Sequence, residues 1–131
     1  MTDFPIPITA WSAVILATLF LWLTYRVIWQ RRSEHIIMGD NDDRIFQKKI
    51  RGQANAAEQI PIALIMLGLA ELLQPSIVII VIAAVLIVGR VMHGFYFTIH
   101  GTNHRFRFYG MLLTLIAQTM AIIAVAVGLL V

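Results

Sequence analysis

Cysteine is absent from this chain, and charge is scarce: only 13% of its 131 residues are Asp, Glu, Lys or Arg. The first absence excludes disulfides, thiolate metal ligands and a catalytic thiol of the protein's own, so any sulfur chemistry must use sulfur brought by a substrate. The second, set against a 60% hydrophobic content and a mean hydropathy of +0.83, excludes an ordinary water-soluble domain. Lys and Arg are also missing from the first six residues, and no small-residue cleavage site ends the first apolar run. That run is therefore expected to stay in place rather than to be removed as a signal peptide. Low-complexity tracts and internal repeats are lacking too, and no metal site is expected.

What remains is apolar length. Four segments, about 8–30, 54–73, 76–99 and 107–131, each approach the roughly 20 residues that a helix needs to cross a bilayer. The expected fold is all-α, an integral membrane four-helix bundle forming a single domain over residues 1–131. Trp11 and Trp29 are 18 positions apart, about 27 Å along a helix, and read as the two interfacial anchors of the first segment. The polar connection after it carries "GDNDD", a turn signal, followed by a stretch expected to form a short interfacial helix. "QPS" at 74–76 reads as a tight hairpin, with Pro75 ending one helix or opening the next. Ala117, Ala121, Ala124 and Gly128 share roughly one face of the last segment, as close intramolecular helix packing requires.

The formal charge of +3 is small, but its placement is uneven. Arg31, Arg32, Arg44, Lys48, Lys49 and Arg51 fall in or beside the first connection, and Arg105 and Arg107 in the third. The "ELLQPS" connection has none. By the positive-inside rule the first and third connections face the cytoplasm, and both termini lie on the non-cytoplasmic side. Arg31, Arg32, Lys48 and Lys49 read as topology and headgroup residues, and no nucleic-acid partner is expected.

Ionisable groups inside a membrane cost several kcal/mol at its centre, so those that remain need a reason. The second segment holds Asn55, Glu58 and Gln59, and the third holds Arg90, His93 and Tyr96. Arg51, Asn55 and Glu58 are spaced i, i+4, i+7, and Arg90, His93 and Phe97 follow the same rule, so each helix presents one polar stripe. Glu58 lies about 10 Å beyond Arg51, and Arg90 about 10 Å before Phe97 on a helix of opposite direction. Both stripes therefore occupy one half of the membrane, with Arg107 at their mouth. Together they describe a cationic, amide-bearing pocket with one carboxylate, suited to a small zwitterionic or anionic ligand. Taken singly, Arg51 reads as an interfacial anchor, Glu58 opposite Arg90 as an ion pair joining two helices, and His93 as a helix-contact residue. Glu71, at the far end of the second helix, reads as a structural residue that snorkels.

The stretch "RGQANAAEQIP", with Arg51, Gln53, Asn55, Glu58 and Pro61, resembles the helix-two signature of the MAPEG family, the membrane-associated proteins in eicosanoid and glutathione metabolism. "GRVMHGFYF" (89–97) and "RFYG" (107–110) extend the resemblance to the third and fourth helices of small bacterial members similar to microsomal glutathione transferases. The resemblance implies a homotrimer in the bacterial inner membrane with glutathione as co-substrate, bound between neighbouring subunits near the cytoplasm. By this resemblance Arg51, Gln53, Asn55, Glu58 and Arg90 would hold glutathione, with His93 and Tyr96 beside them. Arg107 would be catalytic and face the sulfur, with Arg105 as its substitute. A thiol of pKa about 8.5 is mostly protonated at neutral pH, and a guanidinium that lowers it by about two units makes it mostly thiolate. The thiolate would then attack a lipophilic electrophile or hydroperoxide dissolved among the membrane lipids. Gln59, His93 and Phe97 stand where the eicosanoid branch commonly has tyrosines, which sets the chain apart from leukotriene and prostaglandin synthesis. Two other classes compete: a non-catalytic scaffold or lipid-binding protein of the same fold, and a small multidrug transporter built around Glu58. Arg51, Arg90 and Arg107 around that glutamate speak against cation transport.

Overall fold

Pro7 opens the first helix, where its fixed φ suits a helical start and its missing N–H is not needed. In the computed structural model, which describes residues 4–99 and 103–130, four helices follow in order: α1 Pro7–Ser33, α2 Arg44–Glu71, α3 Ser76–Thr98 and α4 His104–Leu130. No strand occurs among the described residues. Of the four, α1, α3 and α4 are long and apolar enough to cross a membrane. The second helix carries the polar stripe and packs against all three of the others. The chain is an all-α membrane bundle, as its composition implies.

Side chains from one helix close the ends of another. The first helix has no side-chain cap of its own, and its first N–H groups are taken by Glu71, at the end of α2. Glu71 Oε1 accepts the Ile8 N–H at 2.8 Å and Oε2 the Thr9 N–H at 2.7 Å. A carboxylate at a helix N-terminus satisfies orphan donors and opposes the positive end of the dipole. Glu71 is thus structural through this capping contact rather than by reaching for water. At the opposite end of the bundle, Arg26 donates from Nη1 to the Phe97 carbonyl at 2.8 Å and from Nη2 to the Thr98 carbonyl at 2.6 Å. It closes the C-terminus of α3, where a cation suits the dipole. The first and third connections therefore lie at the same end, the cationic one.

The expected interfacial helix after "GDNDD" is instead the beginning of α2. Asp43 caps it, its Oδ1 accepting the Ile45 N–H at 2.8 Å, and the helix runs unbroken from Arg44 into the apolar run. Good helix formers at 44–51 and a proper N-cap allow this, and Phe46, fully buried, anchors the early turn.

The third and fourth helices approach closely at two glycines. A Cβ on Gly110 would stand 2.5 Å from the His93 backbone nitrogen, and one on Gly89 would stand 2.8 Å from that of Thr114. The core between the helices is built from Leu16, Leu23, Ala56, Leu67, Ile79 and Leu86, closed by the small stripe of Ala117, Ala121 and Ala124. Half-buried between α2 and α4, Gln118 Nε2 donates to Gln59 Oε1 at 3.2 Å, an amide contact joining the two helices. The outward Leu, Ile and Val side chains remain exposed, as do Trp11 (71%) and Trp29 (78%) at the two ends of α1.

Candidate functional site

The polar stripe of α2 forms one wall of a cavity of about 890 Å³ at the cationic end, between α2, α3 and α4. Arg51, Asn55 and Glu58 line it from α2, His93, Tyr96 and Phe97 from α3, and Arg107 from α4. Six of the eight expected site residues therefore meet in one space. Gln53 and Arg90 do not line it. Gln53, two positions from both Arg51 and Asn55, is turned by about 200° from each at the α-helical pitch, which takes it off their face.

Arg90 lies behind the wall. It has no exposed surface, and its Nη1 donates to Asn55 Oδ1 at 3.0 Å. Its Nε and Nη2 find no partner among the described residues. Glu58 does not pair with Arg90: its side chain is exposed and, among the described residues, has no hydrogen-bond or salt-bridge partner. The ion pair suggested by the spacing is replaced by an amide bridge, because Asn55, one turn nearer Arg51, reaches the guanidinium first. Arg90 thereby holds the Asn55 side chain in a fixed orientation at the cavity wall.

His93 is nearly buried, with its ring 5.0 Å from that of Phe97 and its Nδ1 unpartnered among the described residues. Phe97 in turn packs on Gly52, where a Cβ would stand 2.5 Å from the Phe97 Cβ. The close approach of α2 to α3 that forms the wall depends on that glycine. Lys48 Nζ sits 3.9 Å from the centre of the Tyr96 ring, a cation–π contact that steadies the mouth.

Four polar lining residues were not singled out as a site in the sequence: Arg44, Gln47, Lys48 and His104. The signal was present for two of them, since Arg44, Lys48, Arg51, Asn55 and Glu58 form one continuous run at i, i+4, i+7 spacing. It passes unnoticed while the helix is taken to begin at the apolar segment. Arg26, which fixes the end of α3, carried a signal as well, a lone charge inside an apolar run, but nothing in the sequence pointed to its partners on α3.

The apolar wall comes from α4, with Phe108, Met111, Leu112 and Leu115. Phe108, Leu112 and Leu115 are exposed on the outside of the chain, and so are Arg51, Glu58 and Arg107. One cavity thus offers four cationic side chains (Arg44, Lys48, Arg51 and Arg107), one carboxylate unpaired among the described residues and a greasy wall. Its volume lies in the range of small-molecule sites, about 300–1,000 Å³.

Fold and cavity define a helical membrane protein with a polar site cut into the cationic end of its bundle. A model of the MAPEG family matches residues 9–127, and the chain belongs to the MAPEG family. It is 30% identical over 118 residues to the inner membrane protein YecN of Escherichia coli strain K12, covering 89% of this chain and 88% of that protein. YecN of Escherichia coli O6:H1 matches with the same identity and coverage. The chain is thus a membrane protein of the family associated with glutathione and eicosanoid metabolism.

Proposed function

We propose that the cavity binds glutathione from the cytoplasm and that the protein transfers the activated thiolate to lipophilic electrophiles, or uses it to reduce hydroperoxides. The observation that carries this reading is the pairing of an unpartnered Glu58 with Arg51 and Arg107 on the walls of one cavity. Glutathione has an ammonium group, two carboxylates and a thiol. Glu58 is the complement of the ammonium, Arg51 and Asn55 of a carboxylate, and Arg107 of the sulfur. A guanidinium remains charged in a low-dielectric site and favours the thiolate there.

With an alkylating electrophile, the thiol proton leaves to solvent, the sulfur–carbon bond forms, and the leaving group departs with its electron pair. With a hydroperoxide, the thiolate attacks the terminal oxygen, the O–O bond breaks and the alcohol leaves. The resulting sulfenic acid is resolved by a second glutathione to the disulfide and water. Phe108, Met111, Leu112 and Leu115 give either substrate an apolar path from the bilayer. The exposed Glu58 and Arg51 fit a homotrimer in which a neighbouring subunit covers the cavity, since an unpaired carboxylate facing lipid is costly. Orientation follows the positive-inside rule, with the cavity open to the cytoplasm and the termini on the other side.

The test is glutathione binding to the purified protein in detergent, read by calorimetry together with the ultraviolet absorption of the thiolate. Wild type should bind and show the thiolate signal. Arg107→Ala should bind with at most a modest loss and lose the signal, because the neutral thiol regains a pKa near 8.5. No binding by wild type at millimolar glutathione would replace this reading with a scaffold or lipid-binding role. Proton-coupled cation efflux dependent on Glu58 would replace it with transport.

A further inference from the structure

The sequence assigns four cations of the first connection to topology and lipid headgroups, but the structure uses three of them internally. Lys48 lies over Tyr96 at the cavity mouth. Lys49 Nζ donates to Gln30 Oε1 at 2.6 Å. The Arg31 guanidinium is held over the Phe46 ring, 5.1 Å from its centre, and donates to the Gly39 carbonyl at 3.1 Å. Arg32 remains, and beside it His35; neither has a hydrogen-bond or salt-bridge partner among the described residues.

Three of the four carboxylates of this connection are turned to other work. Glu34 Oε1 accepts from Gln30 Nε2 at 3.0 Å, and Asp43 caps α2. Asp40 accepts from Gln47 Nε2 at 2.8 Å, and that bond together with the Asp42 N–H holds its carboxyl below the usual carboxylate range. Arg32 and the His35 imidazole form no ion pair or hydrogen bond with any of these four carboxylates among the described residues. They flank an open pocket of about 600 Å³ whose other walls are Arg31, Ile36 and Ile37. Ile37 is 92% exposed and the next residue, Met38, 86%. Bare apolar side chains beside an unpaired guanidinium and imidazole suit one place, the membrane–water interface. Trp29, three residues before Arg32 and exposed at this end of α1, marks that level.

The backbone carries an independent sign. After α1 the Ile36 N–H bonds back to the Arg31 carbonyl at 2.9 Å, and His35 adopts φ +55°. This is a Schellman closure, in which the left-handed position is ordinarily glycine. A side chain there is disfavoured relative to glycine, and this one places an imidazole beside Arg32.

We propose that Arg31, Arg32, His35, Ile36 and Ile37 form a binding site for an anionic phospholipid, with the phosphodiester held by Arg32 and His35 and the glycerol and upper acyl chain against Ile36 and Ile37. The site is separate from the large cavity and does not depend on the glutathione reading. A lipid fits better than a free phosphate, because Ile36 and Ile37 give the pocket apolar walls beside its polar groups.

The experiment uses the full chain in phosphatidylcholine vesicles that contain a minority of phosphatidylglycerol, with spin-labelled phosphatidylglycerol or phosphatidylcholine reporting the protein-immobilised fraction. Wild type should prefer phosphatidylglycerol by about five-fold, the contribution of one engaged arginine. The Arg32→Gln, His35→Gln double variant should lose that preference, and Arg105→Gln, at the same end of the bundle, should keep it. His35→Gly should raise the thermal midpoint by relieving the left-handed histidine, yet lower the preference. Equal affinity for both lipids in wild type would overturn the proposal. So would an equal loss with Arg105→Gln, which would mean diffuse attraction without a site, or displacement of the lipid by millimolar inorganic phosphate. A preference that survives in His35→Gly would remove His35 from the site and overturn it as stated.

Discussion

Asn55 has two tasks that pull in different directions. It faces the cavity, and it is the partner of an Arg90 guanidinium that has no other among the described residues. A hydrogen bond to a charged group contributes about 1.5–3 kcal/mol, and removing it leaves the buried cation unpaired. Asn55→Ala should therefore destabilise the protein by about 2 kcal/mol or more, measured by loss of helical circular dichroism on chemical unfolding in detergent. Asn55→Asp should do the opposite to the fold, since the new carboxylate pairs with Arg90 in place. It should also weaken glutathione binding on the order of tenfold, because the ligand's carboxylates then meet a like charge. An Asn55→Asp variant that loses stability would mean that Arg90 is compensated elsewhere. Which residues share this stripe was legible in the sequence, since 51, 55 and 58 must lie on one side of a helix. Which of them meets Arg90 was not, because the choice between Asn55 and Glu58 turns on an axial shift of one helical turn, about 5 Å.

At the scale of elements, the glycines in contact with other helices differ in what a methyl group would meet. On Gly110 it would strike the backbone of His93 and Gly89, which cannot move without shifting all of α3. On Gly68 it would find Thr9 Cγ2 at 3.6 Å, an ordinary contact. Gly110→Ala should cost about 2–3 kcal/mol in the same unfolding assay, by overpacking a well-filled interface, and should disturb the cavity through His93. Gly68→Ala should be neutral or stabilising by up to about 1 kcal/mol, since alanine is the better helix former. Equal effects of the two would contradict the α3–α4 crossing described above. The sequence marked α3 and α4 well because both are long apolar runs. It misplaced the start of α2 because hydropathy marks where a helix enters the membrane, whereas the backbone starts where Asp43 caps it, ten residues earlier.

At the scale of the whole molecule, all eight cations near the connections gather at one end, and the α2–α3 connection at the other end has none. The missing cysteines make this testable, because a single introduced thiol is the only one to label. With an impermeant maleimide on intact bacterial spheroplasts, Ser76→Cys should react directly and Asn103→Cys only after permeabilisation. The reverse pattern would invert the proposed orientation and move the cavity to the outside.

The sequence by itself determined the all-helical membrane class, the charge asymmetry between the two ends, the family signature and the faces of each helix. These depend on composition and on the 3.6-residue period, which are properties of the chain alone. Only the tertiary structure decided that Glu71 caps α1, that Arg26 closes α3, that Arg90 lies behind Asn55 while Glu58 lines the cavity without a partner among the described residues, and that Gln53 is left outside. Each of these is a meeting of side chains from different helices. It depends on the relative rotation and height of those helices, set by close contacts such as Gly52 on Phe97 and Gly110 on His93. No period along a single chain encodes them.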